Sequence, residues 1–124
     1  MTTTLTLATL PPSANVIWRT GKGGTYRNPK YVAWLNTEGL LLKSQLRGQT
    51  KFSEPVSITM WLKQPRANSD LDNRLKPLGD LIASVGAIAN DKLVHHWNIR
   101  WSQLLPKGIA GKIVIGPLLA DWDA

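Results

Sequence analysis

Two neighbouring stretches set the architecture open to this chain. From Val56 to Lys63 apolar and polar residues alternate, with Val56, Ile58, Met60 and Leu62 on one face and Ser57, Thr59, Trp61 and Lys63 on the other. A two-residue period is that of a strand with one buried face. After a short polar stretch, Leu71, Leu75, Leu78, Ile82 and Val85 recur at spacings of four and three, the stripe of a helix lying on a core. A strand and a helix that each bury one side share that side, so the chain is directed to a sheet with helices packed on it.

The remaining segments extend this pattern. Residues 2–10 alternate Thr with apolar residues and read as a strand that ends at Pro11-Pro12. Residues 13–28, with Gly21, Gly23 and Gly24, read as a long loop. Asn28-Pro29 predicts a helix start, and a helix from Pro29 to Leu46, weakened at Gly39, carries Val32, Leu35, Leu42 and Leu46 as apolar members. Gly86 is the expected stop of the second helix. Beyond Asp91, Leu93, His95, Trp97, Ile99 and Trp101 share one strand face, and Val94, His96, Asn98, Arg100 and Ser102 the other. Pro106 to Gly111 is a turn region and Lys112 to Leu119 a last strand. The expected fold is α+β, a single domain over 1–124 in the order β-α-β-α-β-β. One sheet of about four strands carries the helices, and the last two strands form an antiparallel pair.

Charge is unevenly divided along the chain. Lys and Arg number 15 against 8 Asp and Glu, a formal charge of +7. Residues 1–69 hold nine bases and two acids, which is the whole excess, while residues 70–124 hold six of each. A pI near 10.1 points to an anionic partner, nucleic acid ahead of membrane. There is no cysteine, which excludes disulfides, zinc fingers, iron–sulfur sites and thiol catalysis. No apolar run approaches the roughly 18 residues of a membrane span. The first residues show no basic, apolar leader, so a cytoplasmic protein is expected.

Four of the six second-half acids lie between Asp70 and Asp91. In Asp70-Leu71-Asp72-Asn73-Arg74-Leu75-Lys76 the two carboxylates converge only if Asp70 is in an extended lead-in and Asp72 at the helix start. Gathered carboxylates repel one another and favour a cation. Oxygen ligands alone suit Mg²⁺ or Mn²⁺, and a nearby Lys76 would stabilise charge on a phosphate. Plainer readings exist: Asp72 as a cap, Asp91 as a turn residue, Lys76 paired with Asp80 at i+4. On spacing alone these come first. Pro77 fits a helix only if the helix starts late or kinks.

The segment Asp70-Leu71-Asp72-Asn73-Arg74-Leu75-Lys76-Pro77, with Asp80 and Asp91 after it, resembles the core motif of the RusA-type Holliday junction resolvases. Leu10-Pro11-Pro12-Ser13-Ala14-Asn15-Val16-Ile17-Trp18-Arg19 resembles the family's N-terminal signature. Two motifs spanning nearly the whole chain are far more specific than one Asp-x-Asp. The resemblance implies a homodimeric endodeoxyribonuclease, of a kind often encoded by phages and prophages. Such enzymes nick opposed strands of four-way DNA junctions with Mg²⁺ or Mn²⁺. It assigns Asp70, Asp72 and Asp91 as metal-binding carboxylates and Lys76 as the catalytic lysine. Two departures concern DNA affinity: Arg66 is the one base just before the motif, and His95 stands where some members have an acid. Rival readings are a nuclease for flaps or forks, and a DNA-binding module without catalysis.

The bases nearest these motifs, Arg19, Lys22, Arg27, Lys30, Arg66 and Arg74, are the candidate DNA contacts. Trp18 to Lys30 interleaves bases, aromatics and glycines as a phosphate-tracking loop would. It lacks the GxxxxGK[ST] order, so no nucleotide cofactor is expected. His95 is expected on the apolar face, at the core or an interface, and His96 on the polar face. Neither is expected to bind metal. Most of the six Trp are expected in the core, with Trp97 and Trp101 also suited to a dimer interface.

Overall fold

A computed structural model describes residues 2–49 and 51–118. The chain runs through β1 (Thr3–Leu7), β2 (Trp18–Gly21), β3 (Gly24–Arg27), α1 (Pro29–Leu46), β4 (Val56–Leu62), α2 (Leu75–Ser84), β5 (Val94–Trp101) and β6 (Gly111–Pro117). The fold is α+β, as expected, with a four-stranded mixed sheet, a separate hairpin and two helices. Leu119, assigned from sequence to the last strand, lies outside the described residues.

The sheet order is β1-β6-β4-β5. β6 runs antiparallel to both β1 and β4, while β5 runs parallel to β4. The expected antiparallel pairing of the last two strands is therefore wrong, because β4 separates them. The crossover through α2 returns β5 alongside β4 in the same direction. β6 takes the other side of β4, closing the gap to β1.

Leu5, Leu7, Ile58, Met60, Leu62, Ile113 and Ile115 of the sheet form one buried cluster with Leu42, Leu46, Leu78, Leu81 and Ile82 of the helices. Burying each such side chain contributes about 1.5–3 kcal/mol. The face of β4 read from its alternation is the buried one.

The α1 helix begins where Asn28 accepts a hydrogen bond from the Lys30 N–H at 3.0 Å, with Pro29 in the first turn. It runs unbroken through Gly39, which is buried facing Val85. Leu42 and Leu46 face inward as expected and Leu35 packs at the border of the core, but Val32 is exposed, and Tyr31 and Glu38 complete the buried face. Polar groups select that face. Glu38 Oε1 accepts from the Ala8 and Thr9 N–H groups at 2.8 and 3.3 Å. Gln45 accepts from the Thr6 N–H at 2.8 Å and donates to the Thr6 carbonyl at 2.9 Å. The helix thus satisfies backbone groups that the edge strand β1 would otherwise leave bare.

The second helix starts later than the leucine stripe suggests. Asp72–Arg74 form a 3₁₀ turn, and α2 begins at Leu75. Pro77 is then its third residue, where no intrahelical N–H is required. Gly86, at φ +79, ends the segment as expected.

Three further expectations are corrected. Residues 13–28 are not one loop: they hold a 3₁₀ turn at Ala14–Val16 and the β2–β3 hairpin, with Lys22-Gly23 as its two-residue tip. His95 is exposed rather than on the inner face. A register shift at Val56/Ser57 pairs Val94 with Val56 and His96 with Ser57, so His95 is skipped. None of the described tryptophans is fully buried: Trp18 is 56% exposed, and Trp34, Trp97 and Trp101 pack at the border of the core.

Candidate active site

The two sequence motifs meet in space. The Arg74 guanidinium donates to the Pro11 carbonyl, across 63 positions of chain. The Ala14–Val16 turn packs against both the Asp72–Arg74 turn and α2. The Asn28 side chain donates to the Val16 carbonyl at 2.9 Å, so the hairpin base and the start of α1 are tied to the same place.

Asp70 lies in the lead-in and Asp72 opens the 3₁₀ turn. The only hydrogen bond to the Asp70 side chain, among the described residues, comes from Asn73 Nδ2 at 3.3 Å. Asp72 caps nothing, since neither its turn nor α2 has a side-chain cap. Asp91 opens the short turn before β5, but the cap there is Asn90, which accepts from the Lys92 N–H at 2.9 Å. Capping therefore does not account for these acids.

Lys76 and Asp91 line one hollow of about 200 Å³ together with Leu75, Gly79 and Trp97. Lys76 Nζ is 3.1 Å from Asp80 Oδ1, the i+4 pair that spacing allowed. The other oxygen, Asp80 Oδ2, accepts from the Tyr31 hydroxyl at 2.6 Å. Tyr31 is 1% exposed. Burial, then the bond to Asp80 and its charge, push the Tyr31 phenol well above the usual range, against a smaller pull from Arg27. The phenol consequently remains a donor and fixes Asp80 from behind. A second hollow is lined by Asp80, Asp91 and Arg27. Neither hollow is lined by Asp70 or Asp72. Among the described residues, no three His, Cys, Asp or Glu side chains gather as a metal cage.

The candidate DNA contacts divide into two kinds. Arg19, Lys22 and Arg27 stand on the hairpin, whose strands are exposed throughout, and Lys30 and Arg66 are exposed beyond it. Arg27 lies over the Trp18 ring at 5.7 Å and the Tyr31 ring at 5.6 Å. Arg74 is instead half-buried, and burial pushes its guanidinium below the ordinary value. It tethers the motifs to each other as well as carrying charge.

Residues 9–112, which contain both motifs, match the family described as endodeoxyribonuclease RusA. The chain belongs to this family. A relative from Aquifex aeolicus (strain VF5), named crossover junction endodeoxyribonuclease RusA, is 30% identical over 112 residues, covering 89% of this chain and 86% of that protein. RusA membership makes the chain an endonuclease acting on DNA. No described helix is long and apolar enough to cross a membrane.

Within this RusA domain, sequence reasoning missed the support behind the lysine. The i+4 spacing revealed the Lys76–Asp80 pair, but Tyr31 was hidden because its partner is 49 residues away. His96, expected on the polar face, has its Nδ1 3.1 Å from Ser57 Oγ, a contact across the β4–β5 pair that spacing along the chain does not show.

Proposed function

We propose that this chain resolves four-way DNA junctions by paired nicks in opposed strands, acting as a homodimer with a divalent metal, Mg²⁺ or Mn²⁺. One observation carries the reading: the Arg74–Pro11 tether joins the N-terminal signature to the acidic motif. Asp70, Asp72 and Asp91 are the residues that would hold the ion. Their chemistry fits, because they are oxygen donors not used as caps. Mg²⁺ also keeps several of its waters and does not need an all-protein cage. When bound, such an ion supplies a more acidic water and polarises the phosphoryl oxygen.

The chain's own residues do the rest. Lys76 presents its ammonium to the phosphate as negative charge builds on it. Asp80 restrains that ammonium from one side, and Tyr31 restrains Asp80, so the lysine is aimed before DNA arrives. Arg19, Lys22, Arg27, Lys30 and Arg66 hold the DNA backbone. A two-fold dimer supplies two such sites to a substrate of matching symmetry. Trp97 and Trp101, half-buried on the edge strand β5, are suited to that contact.

The test is a labelled synthetic junction incubated with and without Mg²⁺, beside duplex, flap and fork controls. Symmetric nicks on the junction, dependent on metal, are expected. Equal or faster cutting of flaps or forks would replace the junction with those substrates. Light scattering at working concentration checks the dimer, and a monomer that nicks both strands would remove it from the mechanism.

A further inference from the structure

We propose that the cavity between the Pro11-Pro12 segment and the start of α1 takes one unpaired nucleotide of the DNA substrate. Its base would lie against the apolar wall and its phosphate against the cations. This rests on the junction-nuclease reading above and specifies how the substrate is held.

The cavity measures about 420 Å³, within the range of roughly 300–1,000 Å³ typical of small-ligand pockets. Pro12, Val16 and the half-buried Trp34 give it an apolar, aromatic wall, with the buried Tyr31 ring behind. The Tyr31 and Trp34 rings stack with centroids 6.3 Å apart and planes at 19°. Arg19, Lys30 and Arg74 line the same space, and no acid does. Such a cavity wants a ligand that is both flat and anionic.

A second observation is independent of shape. Trp34 Nε1 and Arg74 Nε are buried and have no hydrogen-bond partner among the described residues. Both belong to residues that line this cavity. Buried N–H groups rarely remain unpaired, and indole and guanidinium nitrogens only donate. A ligand that reaches these two groups must therefore supply acceptors. A free phosphate would suit the cations but leave the aromatic wall unused. A paired base has its edge engaged and its faces covered. An unpaired nucleotide offers ring acceptors, a stacking face and a phosphate together. Arg74 stands two positions after Asp72, so the nucleotide would sit beside the acidic motif.

The test scans a four-way junction with single abasic substitutions through the nucleotides flanking each nick, measuring binding to the full chain in EDTA. One position per strand should lose about tenfold in affinity, in line with stacking of a single base. That penalty should disappear in Val16→Trp, which fills the cavity from an exposed position, and should shrink in Trp34→Phe, which keeps a ring but removes the donor. A uniform scan, as expected if water alone serves the two donors, would overturn the proposal. So would a penalty of the same size in both variants, each checked for an unchanged melting temperature. Mg²⁺ is then added to the intact junction in parallel. Absence of nicking there would sink the nuclease reading, whereas nicking with a uniform abasic scan would sink the pocket alone.

Discussion

The β2–β3 hairpin and the Asp70–Asp80 segment bear opposite charge and are held in opposite ways. Every residue of the hairpin strands is exposed, and its ties to the body run through its base, at Asn28 and Arg27. The acidic segment leads into α2, whose Leu78, Leu81 and Ile82 are fully buried. The hairpin thus stands exposed beyond the body, while the acids and Lys76 lie at the start of a helix anchored in the core. Affinity and chemistry should therefore respond to different substitutions.

Four substitutions break or sharpen that contrast, in falling order of effect. Asp70→Asn should cut junction cleavage by about 10³-fold or more, the loss of several kcal/mol of charge stabilisation. Junction binding in a gel-shift assay should survive, and full cleavage by this variant would remove Asp70 from the site. Glu38→Ala should lower unfolding free energy by about 3 kcal/mol, because two backbone N–H groups lose a charged partner inside the fold. Urea denaturation reads this, and a change under about 0.5 kcal/mol would contradict the role given to Glu38.

Tyr31→Phe tests the support behind the lysine. Removing the hydroxyl leaves Asp80 held from one side, so kcat should fall about tenfold with KM little changed. The same loss should be absent in a Lys76→Ala background if Tyr31 acts through the lysine. This variant also has an alkaline signature. The folded Tyr31 phenol lies above its unfolded value of about 10. The unfolded chain therefore loses that proton first, and stability falls as pH climbs past about 10, by up to roughly 1.4 kcal/mol per pH unit. Below that range the phenol contributes no pH dependence. The Tyr31→Phe substitution should flatten the decline, and identical curves would show that the proton matters little.

Lys22→Ala is the smallest change. At the hairpin tip it should leave stability within about 0.5 kcal/mol and reduce the salt dependence of junction binding by about one counterion. An unchanged salt slope would take Lys22 off the DNA path.

What could be read from sequence was local. Asn28-Pro29 marks the start of α1 because cap and first turn are adjacent in the chain, and the alternation of β4 names its buried face. The sheet order was not legible, since a period of two says which face is buried but not which strand is the neighbour. Leu42 and Leu46 were legible as the inner face of α1, but Glu38 and Gln45 were not, since they serve the backbone around β1 and a hydrophobic period cannot register polar residues used in that way. The hairpin had a signal that went unused: Trp18 and Thr20 before Lys22-Gly23, and Thr25 and Tyr26 after it, are strand formers around a turn. At the candidate site, Asp70, Asp72, Lys76 and Asp91 stand out as a motif, while Tyr31 became visible only once the fold had brought it to Asp80.

The place of β6 carries a consequence for how the protein is made. It is the last of the described strands, yet it lies between β1 and β4. While a ribosome is still short of Gly111, β1 has no strand to pair with, and most of the core lacks Ile113 and Ile115. The sheet therefore closes late in synthesis, through contacts distant in sequence of the kind that slow folding. Nascent chains stalled before Gly111 should accordingly be cut by protease within Thr3–Leu7, and chains released beyond Pro117 should resist. Of the described strands, the one that joins β1 to β4 is thus the last to be made.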